Sequence, residues 1–272
     1  MITFIIMKIN TPLFILFVAF FFVPCSKLQS QANTNYKLVW ADEFNYSGLP
    51  DTAKWAYDTG GHGWGNHELQ YYTASRLQNA RAENGHLVIE AKKEEWQGMH
   101  YTSARMVTNN KAAWQYGKIE VKAKLPKGRG TWPAIWMMAE NIKTWPDDGE
   151  IDIMEHVGFN QGTVHGTIHC KKYNHTINTQ KGDTIKINDC SGAFHVYAVE
   201  WDNSSIRISV DGHVYFRFAN EHSGYDAWPF DNKMFLIMNI AVGGDWGGSK
   251  GVDETIFPQT MVVDYVRVYQ NE

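Results

Sequence analysis

The stretch Glu150-Ile151-Asp152-Ile153-Met154-Glu155 places three carboxylates within six residues, separated by long apolar side chains. Successive side chains of a β-strand point to opposite faces, so Glu150 and Asp152 share one face while the two isoleucines share the other. Regular alternation would then turn Glu155 to the apolar face. A one-residue bulge near Met154 would return Glu155 to the acidic face, and bulges often re-aim side chains in this way. The stretch therefore predicts a bulged strand with three acidic groups on one face.

This acidic strand has three interpretations. An exposed acidic face needs a compensating reason, because like charges on one strand face repel and strands are depleted in Asp and Glu. A calcium site is a second interpretation, since calcium binds several carboxylate oxygens. Clustered carboxylates in unequal environments are also the usual acid–base device, and we favour this third interpretation.

The pattern of the rest of the chain predicts short strands separated by turns. Lys118 to Leu125 alternates between polar and apolar residues, and Asp211-Gly212 is a hairpin signal between two such runs. Met234 to Val242 is almost entirely apolar, as expected of a strand covered on both faces. Because no stretch after residue 32 has a convincing amphipathic helical period, we predict an all-β domain of two antiparallel sheets packed face to face.

The first 32 residues form a segment of different character. Met1 to Val23 is dominated by apolar residues with Lys8 as its single charge, which predicts a secretory signal peptide too short for a comfortable membrane span. The small residues Ser30 and Ala32 suit cleavage after Ala32, whereas Cys25 suggests a lipid anchor instead. We therefore predict a signal at 1–32, a single domain at 33–272 without a transmembrane segment, and an exported protein, either secreted, periplasmic or lipid-anchored.

Charge and aromatic content restrict the partner. The net charge of the full chain is −4, and it becomes −6 when residues 1–32 leave, because Lys8 and Lys27 are removed with no acidic residue. No basic block remains, which argues against nucleic acid as a partner. The full chain has 11 Trp, 13 Tyr and 14 Phe. Many of these side chains must lie in the core, but so many tryptophans also suit a surface that binds sugar rings.

The cysteines allow one disulfide. If Cys25 leaves with the signal or takes a lipid, Cys170 and Cys190 form an even pair in an oxidising compartment. We expect a bridge between them, with two free thiols as the alternative.

Two flanking runs identify a family. With Lys127 to Trp136 before the acidic strand and His165 to His169 after it, the chain resembles family 16 glycoside hydrolases, and within them the bacterial laminarinases, which are endo-acting β-1,3-glucanases. The likeness extends from Leu38 to Tyr269, and the acidic stretch matches the family's bulged pattern Glu-x-Asp-x-x-Glu. The resemblance implies a concanavalin-like β-jelly roll sandwich of two curved antiparallel sheets.

The resemblance also implies catalytic roles. Glu150 would be the nucleophile and Glu155 the general acid, later base, of a retaining double displacement, with Asp152 between them and no catalytic cofactor. The substrate would be a laminarin-type β-1,3-glucan, with some tolerance of mixed β-1,3/1,4 linkage. Agar or carrageenan hydrolysis by the same strand is an alternative, and a sugar-binding lectin is an alternative from another class.

Sugar contacts are carried over from the family position by position, except Trp246, which is a candidate because it lies on a glycine-rich loop and loops often carry binding residues. The residues predicted to bind substrate are Trp132, Trp136, Asn66, Arg105, His169 and Trp246. Core packing is the alternative for the tryptophans of the predicted strand, a turn role for Asn66, and a structural ion pair for Arg105. Glu68 is left undecided between sugar contact and structure.

Metal sites receive less support. His165 and His169 lie on one strand face, but a zinc site lacks a third ligand in the sequence. By resemblance, Glu43, Gly85 and Asp264 would hold a structural calcium ion. We expect Trp145 to form a wall of the substrate cleft, and His156 and His175 to be ordinary polar residues. We also expect the protein to be a monomer.

Overall fold

The computed structural model describes residues 35–271, which lie in one compact unit, Asn35–Glu272. The predictions for residues 1–32 fall outside the described residues. Within 35–271, no helix is long and apolar enough to span a membrane.

Seventeen strands and three short 3-10 helices make up the described chain. In chain order the strands are β1 (Tyr36–Asp42), β2 (Ala56–Asp58), β3 (Gln70–Tyr72), β4 (Ala80–Glu83), β5 (His86–Trp96), β6 (Met99–Ser103), β7 (Arg105–Val107), β8 (Gly117–Lys124), β9 (Thr131–Ala139), β10 (Glu150–His156), β11 (Thr163–His169), β12 (Lys181–Lys186), β13 (His195–Trp201), β14 (Ser205–Val210), β15 (His213–Ala219), β16 (Met234–Val242) and β17 (Gln259–Asn271). The 3-10 helices are Gly158–Asn160, His175–Ile177 and Glu254–Ile256.

The strands form two sheets, which confirms the predicted all-β sandwich. The larger sheet has ten strands in the order β15-β14-β13-β8-β17-β5-β6-β3, with β1 beside β17 and β4 beside β5. The smaller sheet has seven strands in the order β12-β11-β10-β9-β16-β7-β2. One pair departs from the predicted antiparallel arrangement, because β3 runs parallel to β6.

The residue patterns that predicted individual strands hold in the structure. Strand β8 alternates between buried and half-buried residues along its length, and all nine residues of β16 are buried. The turn at Asp211-Gly212 joins β14 to β15 as predicted. Apolar side chains from both sheets, among them Ile119 of β8 and Ile151 of β10, form the shared core.

Strand β10 carries the predicted bulge. Its pairing with β9 shifts between Asp152 and Met154, and its pairing with β11 shifts between Asp152 and Glu155. Ile153 and Met154 are both fully buried in the core, and together they take the place of one residue in the register. Glu155 is therefore returned to the same face as Glu150, although the extra residue relative to β9 is Ile153 rather than Met154.

The predicted disulfide is wrong for this structure. Cys170 and Cys190 are both free and fully buried. The Cys170 thiol donates to the Ala227 carbonyl oxygen at 3.6 Å, whereas the Cys190 sulfur accepts from Gln161 Nε2 at 3.6 Å. Each thiol thus packs in a different environment, and burial raises the pKa of both.

Candidate active site

The three carboxylates of β10 lie together on the open face of the smaller sheet. Glu150 and Glu155 are half-buried at the two ends of the group, and Asp152 between them is 2% exposed. The opposite face of the strand is core, so the bulge alone decides that all three acids face outward.

Each glutamate accepts a hydrogen bond from an indole. Trp145 Nε1 donates to Glu150 Oε2 at 2.7 Å. Trp132 Nε1 donates to Glu155 Oε1 at 3.0 Å. Trp132 therefore contacts the acidic group directly, in addition to any stacking role that its predicted position on the open face suggested.

His169 lies beside the acids, but at the Glu150 end of the group rather than near Glu155, where the resemblance had placed it. It pairs with Glu150 in the β10–β11 register, and its Nε2 atom lies 3.3 Å from Asp152 Oδ2 and 4.0 Å from Glu150 Oε1. Its ring also packs against Trp145 and His175, with centroid distances of 6.0 Å and 5.3 Å. His175 is thus part of the same cluster and not the ordinary polar residue that the sequence suggested.

Burial makes all three acids harder to ionise. Desolvation, followed by the negative charge of Asp152, raises the pKa of Glu150 to about 8. Desolvation also raises the pKa of Glu155 to about 7, and Glu150 adds to this effect while the Trp132 N–H opposes it. The pKa of Asp152 is raised well above its usual range by desolvation and by Glu155.

The three acids interact strongly, so a proton on one carboxyl changes the proton affinity of the other two. A nucleophilic Glu150 must be ionised, which its raised pKa at first sight opposes. Asp152 is the most deeply buried of the three, so desolvation favours placing a proton there. A neutral Asp152 no longer repels Glu150 and can donate a hydrogen bond to it. Glu150 would then accept from both Asp152 and Trp145, and both donors favour its ionised form.

An aromatic cluster borders the Glu155 end of the group. The Trp246 ring lies edge-on to Trp132 and to His165, with centroid distances of 5.5 Å and 4.8 Å. The Gly243–Gly248 loop thus places Trp246 beside Trp132, which itself donates to Glu155, and a sugar contact of Trp246 stays a prediction. His165 contacts this loop residue edge-on and is not grouped with His169, so the His165–His169 zinc pair that the sequence disfavoured is not formed among the described residues.

Arg105 lies between two indoles. Its guanidinium carbon is 4.7 Å from the ring centroid of Trp64 and 4.7 Å from that of Trp136, and its Nε atom donates to Asp58 Oδ2 at 2.9 Å. The structural ion pair considered for Arg105 is therefore present. The same contacts hold Trp136 on the open face.

A buried chain of hydrogen bonds holds Trp136 and the loop that carries Asn66. Trp136 Nε1 donates to Asn239 Oδ1 at 2.8 Å, Asn239 Nδ2 donates to Tyr72 OH at 2.9 Å, and Tyr72 OH donates to Glu68 Oε2 at 3.2 Å. Asn66 Nδ2 also donates to Glu68, at 3.3 Å. Glu68 is 8% exposed and its carboxylate accepts from several donors. These contacts favour a structural role for Glu68, which the sequence left undecided.

The predicted calcium residues partly converge. Gly85 lies near Asn45, two residues after Glu43, and the following His86 reaches to 4.0 Å from Asp264. Both carboxylates are engaged by cations, however. Arg267 donates to Glu43 through two nitrogens at 2.8 and 2.9 Å, and Lys122 lies 2.7 Å from Asp264. The donor types suit calcium, but in this arrangement an ion would have to replace two ion pairs.

A β-sandwich whose open face presents paired glutamates, a buried third carboxyl and half-buried indoles has the groups that a carbohydrate-cleaving enzyme needs. Residues 67–267 match Glycosyl hydrolases family 16, and the chain belongs to this family. Such hydrolases need no catalytic cofactor.

Individual relatives show which members of the family the chain is similar to. The chain is 55% identical over 260 residues to a β-glucanase of Rhodothermus marinus, covering 91% of each chain. The X-ray structure of the laminarinase from Rhodothermus marinus superposes with a TM-score of 0.87 at 55% identity, covering 88% of this chain and 99% of that one. SCLam, a non-specific endo-β-1,3(4)-glucanase from the same family, superposes with a TM-score of 0.84 at 54% identity, covering 87% and 92%.

Sequence reasoning missed three contributors to the site. Trp145 was assigned only to a cleft wall, and Trp64 and His175 were given no role at the site. A bulky residue with positive φ is unusual, and Trp64 has φ 52°, but backbone angles cannot be read from the sequence. The contact of Trp145 with Glu150 had a weak signal, because the two are only five residues apart.

Proposed function

We propose that the protein is an endo-acting glycoside hydrolase that cleaves β-1,3-glucosidic bonds in laminarin-type glucans with retention of configuration. The observation that carries this proposal is the set of three acids on one face of β10, with a separate indole donor for each glutamate. A sugar-binding module has no need for such a set, so the geometry favours the enzyme over the lectin alternative.

The reaction proceeds in two displacements. In the first, ionised Glu150 attacks the anomeric carbon, the glycosidic bond breaks, and Glu155 gives its proton to the leaving oxygen. In the second, Glu155 takes a proton from water, and the resulting hydroxide displaces Glu150 from the glycosyl–enzyme bond. Asp152 holds a proton against Glu150 and stabilises its charge when it leaves. The net change is hydrolysis with the β-configuration kept.

The substrate is proposed from the relatives' activities. The Rhodothermus marinus protein is described as a laminarinase, which supports β-1,3-glucan, and SCLam acts on β-1,3(4)-glucans, which supports tolerance of mixed linkage. The acidic chain gives no indication of an anionic galactan substrate such as carrageenan.

Replacement of either glutamate tests the assignment. We expect Glu150→Gln and Glu155→Gln to abolish release of reducing sugar from laminarin while binding of laminari-oligosaccharides persists, because the indole surface remains. Glu95→Gln, which changes an exposed glutamate, is the matched control and should retain full activity. Laminarin, lichenan, agarose and carrageenan are assayed side by side.

Two outcomes would contradict the proposal. Full activity of Glu150→Gln would exclude that residue as nucleophile. Appearance of the α-anomer as the first product in proton NMR would exclude retention.

We also propose a calcium ion at Glu43, Gly85 and Asp264, bound in competition with Arg267 and Lys122. Two carboxylates and a backbone carbonyl are oxygen ligands of the kind calcium prefers, and extracellular sites bind it at about 0.1–1 mM. The ion would have a structural role, since this cluster involves strands of the larger sheet rather than the acidic face of β10.

Export is a further proposal that follows from residues 1–32. We propose that the signal is removed and that the domain acts outside the cytoplasm as a monomer, either free or held by a lipid on Cys25. The mass of the protein purified from its native host distinguishes these forms, because cleavage after Ala32 and lipidation of Cys25 leave chains of different mass.

A further inference from the structure

Three ligand atoms converge at the Glu150 end of the site. Glu150, Asp152 and His169 each offer one atom, and these atoms all lie within 4.8 Å of one another. His169 Nε2 is 3.3 Å from Asp152 Oδ2 and 4.0 Å from Glu150 Oε1. The two acids come from β10 and the imidazole from the neighbouring strand β11, so rigid, paired elements hold the group.

The separations are close to those of a zinc site. Ligand atoms about 2.1 Å from a tetrahedral ion lie about 3.4 Å from one another. The contact between His169 and Asp152 already has this length. The contact between His169 and Glu150 exceeds it by only about half an ångström, a distance that a glutamate rotamer can supply.

Asp152 has unused capacity for a ligand. Its Oδ2 atom is buried without a hydrogen-bond partner, and the residue is 2% exposed. A buried acceptor without a partner is costly, and a bound cation would satisfy it while displacing the proton that Asp152 holds in the metal-free site. The nearby indole of Trp145 donates to Glu150 Oε2 and leaves Oε1 directed toward His169.

The donor set also indicates which cation fits. One imidazole nitrogen with two carboxylate oxygens suits zinc, copper or nickel, whereas calcium and magnesium prefer oxygen alone. Three protein ligands leave a fourth position for water, because Glu150 lies half-buried at the open face.

We propose that Glu150, Asp152 and His169 form an inhibitory binding site for a divalent transition-metal ion, with Zn²⁺ as the representative ion. The ion binds the carboxylate that attacks the sugar, so it competes with the glucan. Binding itself depends only on the three ligands. The inhibitory effect rests on the function proposed above for Glu150.

Isothermal titration of the metal-free protein with ZnCl₂ tests binding without reference to activity. We expect one Zn²⁺ per chain, and a loss of affinity of at least about tenfold in His169→Gln and in Asp152→Asn. CaCl₂ and MgCl₂ should not bind at this site. Titrations with either salt should therefore give the same result for His169→Gln and for the unmodified protein.

The matched control is His100→Gln. His100 Nδ1 lies 2.6 Å from Glu95 Oε1 on the exposed surface, so this variant removes a histidine–carboxylate pair without a third ligand. Its zinc affinity should equal that of the unmodified protein.

Laminarin hydrolysis at increasing ZnCl₂ then tests competition, with an increase of apparent KM and an unchanged kcat as the expected result. Absence of zinc binding up to about 1 mM, equal affinity in His169→Gln, or inhibition that lowers kcat alone would overturn the inference. Zinc binding to a protein that does not hydrolyse any glucan without metal would instead contradict the proposed function and leave the metal site standing.

Discussion

At the scale of single residues, the two glutamates differ through their hydrogen-bond donors and their neighbours. Glu150 accepts from Trp145 and lies beside Asp152 and His169, whereas Glu155 accepts from Trp132. A donor to a carboxylate stabilises its ionised form and lowers its pKa. The indoles therefore adjust the proton affinities of the acids in addition to offering apolar surface to sugar rings.

We expect Trp132→Phe to move the alkaline limb of the kcat/KM profile to higher pH. The phenyl ring keeps apolar surface but cannot donate to Glu155, so the pKa of this acid rises and it retains its proton to higher pH. Initial rates on laminarin across pH measure the limb. Trp96→Phe, at an exposed tryptophan that packs on Arg76, is the control and should leave the profile unchanged.

A purely packing role of Trp132 predicts a different result for Trp132→Phe. If Trp132 only packed against Trp246, its replacement would lower activity equally at every pH. An unshifted limb would therefore contradict the proposed electrostatic role.

At the scale of elements, strand β10 depends on its bulge. Ile153 and Met154 are both buried, and Gly166 of β11 lies at the register position opposite them. A Cβ at Gly166 would lie 2.6 Å from the Tyr215 hydroxyl, so the neighbouring strand leaves no room there for a side chain. The bulge is thus matched by the partner strand as well as by β10 itself.

Deletion of Met154 should abolish laminarin hydrolysis and lower the melting temperature. Without the extra residue, regular alternation turns Glu155 toward the core or forces the strand to slip. Met154→Leu keeps a buried apolar residue of similar volume and should retain activity, at a cost in the free energy of unfolding below about 1.5 kcal/mol. An active deletion variant would show that the bulge does not position Glu155.

The last residue of β10, His156, should make the stability of the protein sensitive to acid. His156 is fully buried, its Nε2 atom accepts from the Gly162 N–H at 3.0 Å, and burial, with His165 and Lys186 nearby, lowers its pKa to about 4. Between pH 6.5 and 4 the unfolded chain binds this proton and the folded chain does not. Stability from this residue is therefore complete above pH 6.5 and is lost as the pH falls toward 4, by at most about 3 kcal/mol.

Urea denaturation at pH 7, 5.5 and 4.5 measures this loss. His156→Gln keeps a hydrogen-bond acceptor without a titrating group, so it should reduce the dependence of the unfolding free energy on pH. An unchanged slope in the variant would show that His156 does not cause the acid sensitivity.

At the scale of the whole molecule, the larger sheet joins distant parts of the chain. Strand β17 lies between β8 and β5 and also pairs with β1, so the last strand of the described chain connects to its first. The ion pair of Arg267 with Glu43 lies at this junction. Calcium there would bind the beginning and the end of the domain together.

We expect CaCl₂ to raise the melting temperature of EDTA-treated protein by about 2–4 °C for each kcal/mol of binding energy. Glu43→Gln removes one proposed ligand and should abolish the increase, whereas Glu95→Gln should not. Identical melting temperatures of the unmodified protein in EDTA and in calcium would contradict the proposed calcium site.

The sequence by itself determined the features that depend on neighbouring residues. Side-chain alternation identified β8, the Asp211-Gly212 turn identified a hairpin, and the interrupted alternation at Met154 identified the bulge and the acidic face. These signals are local, since the period of a strand and the chemistry of a turn are set by residues adjacent in the chain.

Only the tertiary structure decided which distant groups meet. The separation of Cys170 from Cys190, the engagement of Glu43 by Arg267, the burial of Glu68 and the approach of His169 to Asp152 all follow from it. Strand order and register set these contacts across the sheets, and composition and spacing along one strand do not contain them.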